Sequence, residues 1–138
     1  MNANETRRIL LVDDHDAVRH GLALVLAEEG VGECSEADSR AGALEAAGQE
    51  RPDIALVDLS LPNDEALDLI ADLRALSVAV LVCSMHEEPG HVRRALAADA
   101  RGYITKREAP RELARAVRNA LQGWMLISPR AAENLRDN

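Results

Sequence analysis

The chain has 138 residues, 47% of them hydrophobic, and a formal charge of -8, a size that suits one domain around a single core. So acidic a balance tells against nucleic acid as a direct partner, because phosphate contacts need a basic face. No apolar run approaches the roughly 20 residues that cross a bilayer, and the polar stretch from Met1 to Arg8 is unlike a signal peptide, so a soluble, cytoplasmic protein with no membrane partner is expected.

From Arg8 onward, short apolar runs alternate with longer segments of helical period, the pattern of a parallel sheet covered by helices on both faces. The first run, Ile9-Leu10-Leu11-Val12, ends on Asp13 and Asp14. A helix is predicted from Asp16, whose carboxylate suits the N-cap, with Val18, Leu22, Val25 and Leu26 on its inner face and Gly30 as its stop. The second run, Val31 to Ala37, is more polar and reads as an edge strand, and a helix follows from an N-cap at Ser39 to the Arg51-Pro52 break. Ile54-Ala55-Leu56-Val57 is apolar throughout, which predicts a central strand buried on both faces and carrying Asp58 at its carboxyl end.

After a turn at Leu61-Pro62-Asn63, the next helix carries Leu67, Ile70 and Leu73. The fourth run, Val78 to Cys83, ends at Ser84, and Glu87, Glu88 and Pro89 mark a helix start by their acids and their proline. A short fifth strand, Gly102 to Thr105, ends at Lys106. The last long helix opens at Pro110, repeats Leu113, Val117 and Leu121, and stops at Gly123, after which Ser128-Pro129 opens a short helical tail. Five strand and helix pairs make one doubly wound α/β domain. Cys34 and Cys83, without C-x-x-C or zinc-like spacing, are expected to be free thiols.

In open parallel sheets, ligands gather at the carboxyl ends of the strands. Here those ends are Asp13-Asp14, Asp58, Ser84 and Lys106. Each alone has an ordinary reading as a turn cap, a solvated strand end or a surface charge. Their convergence on one edge points to chemistry instead. Close carboxylates stay ionised when a cation compensates them, and a set of hard oxygen ligands without His or Cys favours magnesium over zinc. Phosphoryl transfer needs alignment and positive charge, which gives Asp58 the place of in-line nucleophile, with Lys106 facing one phosphoryl oxygen and Ser84 donating to another. Of 16 lysines and arginines, only Lys106 is a lysine, a compact charge suited to that position.

The stretches Leu11-Val12-Asp13-Asp14-His15, Val57-Asp58-Leu59-Ser60-Leu61-Pro62, Ser84-Met85-His86 and Gly102-Tyr103-Ile104-Thr105-Lys106 resemble response regulator receiver domains of the NarL/FixJ (LuxR-type) subgroup, from about Arg8 to Gly123. Leu126-Ile127-Ser128-Pro129 is similar to that subgroup's exit toward a linker. The resemblance implies a flavodoxin/CheY-like sheet of five parallel strands in the order 2-1-3-4-5. It also implies a flexible tail over residues 1–7, a receiver domain over 8–123, and an extension over 124–138 toward a helix-turn-helix DNA-binding domain outside this chain.

By the same resemblance, a sensor histidine kinase phosphorylates Asp58. Magnesium is ligated directly by Asp14, largely through water by Asp13, and by Asp58 and the backbone carbonyl of Ser60. Ser84 contacts the phosphoryl group, Lys106 pairs with it, and Tyr103 reports it to an output that regulates transcription. Catalysis is limited to slow self-phosphorylation and self-dephosphorylation. Taken alone, Tyr103 reads as a partly buried strand ring. Two positions depart from the subgroup's pattern: Ala66 stands where glycine is usual, which would strain a positive φ, and Met85 is bulkier than the small residue many receivers carry.

Two other readings compete. A phosphatase of the haloacid dehalogenase type would show an Asp-x-Asp at a strand end, and Asp58-Leu59-Ser60 lacks the second acid. An unphosphorylated, atypical receiver acting as a protein interaction module rests on Ala66 and Met85 alone. On the last helix Arg111, Arg115 and Arg118, with Glu112 nearby, suit either a homodimer face or a solvated charged surface.

Overall fold

Along the chain the elements are β1 (Arg8–Val12), α1 (Asp16–Glu28), β2 (Glu33–Ala37), α2 (Arg40–Glu50), β3 (Ile54–Val57), α3 (Glu65–Ala75), β4 (Ala79–Ser84), α4 (Pro89–Ala97), β5 (Gly102–Thr105), α5 (Pro110–Leu121) and β6 (Leu126–Ile127). The structure, a computed structural model, describes residues 7–62, 65–85, 89–123 and 126–127, with Pro89, Leu126 and Ile127 described by their backbone alone. Asn63, Glu87, Glu88, Trp124 and the Ser128-Pro129 tail lie outside the described residues.

All neighbouring strands run parallel, in the order β2-β1-β3-β4-β5-β6. Parallel neighbours need long crossovers, which the helices supply. The expected order 2-1-3-4-5 is therefore present, and β6 adds a two-residue strand beyond β5, pairing Gly102 with Leu126 and Tyr103 with Ile127. Alternate residues of the central strands serve two separate cores. Leu10, Val12, Val57, Val80, Val82 and Tyr103 pack with α2, α3 and α4, whereas Ile9, Leu11, Leu56, Leu81, Cys83 and Ile104 pack with α1 and α5. At roughly 2 kcal/mol per buried aliphatic side chain, these two layers fix the strands, and with them the strand ends.

Local differences from the sequence reading have identifiable causes. Asp16 is the first residue of α1, not its cap; His15 holds the cap position with no side-chain cap bond, and the Asp16 carboxylate turns to Arg19. Val18 is 41% exposed, and Arg19 takes the buried position beside Leu26 because it finds three acceptors there. β2 starts at Glu33, after Gly32, where a Cβ would stand 2.6 Å from the Arg7 carbonyl oxygen and only glycine allows the close approach. Ser39 caps α2 as expected, its hydroxyl accepting from Gly42 N at 3.1 Å. Cys34 and Cys83 are both free; burial pushes the first up to about 11, with help from the Glu36 charge, and the second up to about 12. Among the described residues, no helix is long and apolar enough to cross a membrane.

Candidate functional site

The pocket is built by extending the parallel ladder one residue past each strand. Val12, Val57 and Val82 stand in register, as do Ser84 and Thr105. Beyond them Asp13 N donates to Ala37 O at 3.1 Å, Asp58 N to Val12 O at 3.0 Å and Lys106 N to Ser84 O at 2.8 Å. These main-chain bonds fix the Cα positions of Asp13, Asp58 and Lys106 before any side chain is considered. β1 and β3 are buried on both faces up to Val12 and Val57, so Asp13 and Asp58 are the first groups that can meet a polar ligand.

The side chains then converge. The Lys106 ammonium donates to Asp13 Oδ2 and, at 3.2 Å, to Asp58 Oδ2. Asp58 Oδ1 accepts from Ser60 N at 3.1 Å, and Asp13 Oδ1 accepts from His15 N at 2.8 Å. Asp14 is exposed, and its Oδ1 lies 3.0 Å from His15 Nδ1, which is also 3.2 Å from Asp13 Oδ1. Ligand atoms of Asp13, Asp14, His15 and Asp58 all lie within 4.8 Å of one another.

Electrostatics follow from burial and from this uneven pairing. Burial works to push Asp13 up, but hydrogen bonds from Lys106 and the His15 amide outweigh it and hold the carboxyl below its usual value. At Asp58 burial wins: assisted by the charge of Asp13, it raises the carboxyl above the usual value against the Ser60 amide and Lys106. Burial also works against the charge on Lys106, yet its bond to Asp13 and the two carboxylate charges hold the ammonium above the usual lysine value. Two buried carboxylates thus share one ammonium, with the Asp14 carboxylate beside them. That set of hard oxygens fits a divalent cation such as magnesium. His15 adds a nitrogen to a cluster that the sequence reading composed of oxygens alone.

Ser84 and Tyr103 are both fully buried, Tyr103 within the core beneath α3 and α4. The ring is more deeply set than the partly buried reading of it as an ordinary strand residue. Ser60 stands beside Asp58 through its amide. Ala66 is buried inside α3 and is not among the non-glycine residues with positive φ, which among the described residues are Arg51, Ser77 and Asp99, so the alanine is unstrained. Met85 is half exposed. Sequence reasoning missed His15 as a neighbour of the acids and Arg19 altogether; the available signal was an arginine three residues before Leu22 and seven before Leu26, on the inner face of α1.

Residues 9–118 match the family described as the response regulator receiver domain. The chain is 37% identical over 134 residues to the response regulator GacA of Pseudomonas viridiflava, covering 93% of this chain and 61% of GacA. It is 35% identical over 131 residues to the DNA-binding transcriptional activator DevR/DosR of Mycobacterium tuberculosis, covering 93% of this chain and 60% of that protein. This chain thus spans about three fifths of those relatives. A LuxR-family two-component response regulator from Aurantimonas sp. SI85-9A1 superposes with a TM-score of 0.89 at 31% identity, over 96% of this chain and 97% of that one.

Proposed function

The chain belongs to the response regulator receiver family, with relatives among NarL- and LuxR-type regulators, and from that premise we propose that it is a phosphorylation-dependent switch that accepts a phosphoryl group on Asp58 from a sensor histidine kinase. The observation that carries this reading is the buried Asp58 carboxylate, with Lys106 Nζ at 3.2 Å and Asp13 across the same ammonium. An Asp58 oxygen attacks the phosphorus of a phosphoimidazole; the phosphorus–nitrogen bond breaks, the imidazole leaves with the electron pair, and an acyl phosphate forms. The role is that of a phosphoacceptor, with at most slow self-phosphorylation and self-dephosphorylation.

Asp14, Asp13 through water, Asp58 and the Ser60 carbonyl would hold magnesium. Bound there, the ion supplies positive charge for the phosphoryl oxygens. Lys106 holds a further oxygen by its own charge, and Ser84 donates to the third. Tyr103 is already fully buried, which favours a population shift: the phosphoryl group stabilises an arrangement present beforehand. In the whole protein, residues 8–123 would act as receiver between a tail over 1–7 and an extension over 124–138 leading to a DNA-binding output domain. Transcription is regulated through that domain, since this acidic segment is a poor match for DNA. A homodimer through α5 would present the signal, and the setting would be the cytoplasm.

Incubation with acetyl phosphate and magnesium, followed by intact mass, tests the assignment. One added phosphoryl group is expected on the parent and none on Asp58→Asn. An unmodified parent across a range of magnesium concentrations would favour the interaction module instead.

A further inference from the structure

Arg19 is the one arginine of α1, and each of its three guanidinium nitrogens donates a hydrogen bond. Nη1 donates to the backbone carbonyl of Asp13 at 2.6 Å, Nη2 to Asp16 Oδ1 at 2.8 Å, and Nε to Glu36 Oε1 at 2.9 Å. The residue is only 8% exposed and lines a small cavity together with Asp13, Asp58 and Lys106. Burying a guanidinium is costly unless it is hydrogen-bonded and its charge is paired, so an arginine kept at this point of the core serves the groups it touches. The group that matters is the Asp13 carbonyl. It belongs to the peptide joining Asp13 to Asp14, immediately past the last residue of β1, where the chain leaves the sheet and turns into α1.

We propose that Arg19 is a positioning residue for the metal pocket: by clamping the Asp13 carbonyl, it fixes the direction in which the adjacent Asp13 and Asp14 carboxylates point. Glu36 on β2 and Asp16 on the first turn of α1 hold the clamp from the opposite side and balance its charge. The clamp ties α1, β2 and the turn from β1 into α1 into one unit around the acids. Glu36 also lies 2.6 Å from His20 Nδ1, so its carboxylate is braced in turn. This inference rests on the proposed magnesium site, and it makes a prediction whose sign separates two physical roles. As a bare positive charge near the acids, Arg19 would repel a divalent cation, and removing it would tighten binding. As a clamp, its removal lets the two carboxylates spread over several directions, and binding weakens.

Magnesium affinity of the full chain is to be measured by calorimetry for the parent, Arg19→Gln and Glu36→Gln, with thermal midpoints recorded in EDTA. Arg19→Gln should weaken magnesium about tenfold, the lower end of what outer-shell changes cost metal sites. Glu36→Gln, which keeps an acceptor for Arg19 Nε but takes away the charge that holds the clamp, should weaken it by less. A purely structural role would lower the midpoint of Arg19→Gln and leave the affinity of both folded variants at the parent's value; that result, or tighter binding, overturns the proposal. Should Arg19→Gln fail to fold, an unchanged affinity in Glu36→Gln overturns it equally. A parent that binds no magnesium would overturn the reading of the pocket itself, and the clamp with it.

Discussion

Two places in the molecule hold one cation against two aspartates, and they differ because one is open to water and the other is largely buried. Between α2 and α3, Arg40 Nε and Nη2 each lie 2.8 Å from Asp72 Oδ2, with Asp68 at 3.9 Å from Nη1, and the side chains are 31% to 71% exposed. At the sheet edge, Lys106 faces Asp13 and Asp58, and none of the three side chains is more than 8% exposed. At the surface, solvent and salt dissipate whatever charge the pairing leaves over. In the pocket the excess is poorly screened, an arrangement that suits a further cation. Incomplete compensation under burial, rather than ion pairing as such, distinguishes a site from a strut.

The largest break in that contrast should come from Lys106→Met, which keeps the apolar stem and removes the charge. Asp13 and Asp58 would then repel each other with no partner between them, at a cost of about 3 kcal/mol, the usual scale for stranding a buried charge. Urea denaturation at neutral pH in EDTA measures it. Magnesium should restore part of the loss, because it binds the folded chain alone. An unchanged midpoint would mean that water enters the pocket freely.

Asp58→Asn should move stability the other way. Asparagine keeps the shape, and its one oxygen can still accept from Ser60 N; its NH2 group gives up the Lys106 bond and leaves that ammonium to Asp13, while one of the two repelling carboxylates disappears. A gain of about 1 kcal/mol in EDTA is expected, an ordinary size for a single substitution. The pH dependence fixes the cause. Burial raises the folded-state pKa of Asp58, so its ionised form costs stability above that pKa, and below the unfolded value of about 3.9 the cost is gone. The advantage of Asp58→Asn over the parent should therefore be full at neutral pH and shrink on acidification toward pH 4. A constant advantage would point to packing rather than charge.

This same contrast marks what could be read from the sequence. β3 was legible because a strand buried on both faces is apolar throughout, and Asp58 was legible as the first polar residue past it. Asp13, Ser84 and Lys106 follow by the same rule on neighbouring strands. Arg19 was harder to read: its spacing to Leu22 and Leu26 puts it on the inner face, but what makes its burial tolerable is a main-chain carbonyl and an acid on β2 that the helix pattern does not show, and the pattern pointed to Val18 instead. Nor does β6 have a strand-like signal of its own: two residues become a strand only because β5 offers an unpaired edge. At Ala66 the question was one of backbone geometry, which a residue name alone does not settle.

The smallest expected effect closes the comparison from its exposed side. Arg40→Ala removes the cation that Asp72 and Asp68 share, yet both acids keep their water, and the arginine's long side chain regains its freedom in exchange for the contact. No resolvable change in the urea midpoint is expected, and raising the salt concentration should leave parent and variant equally placed. Lys106→Met should behave differently in the same salt series, because ions screen poorly where water is excluded. A clear loss in Arg40→Ala that persists at high salt would mean that the α2–α3 contact, and not only the pocket, depends on charges the solvent cannot reach.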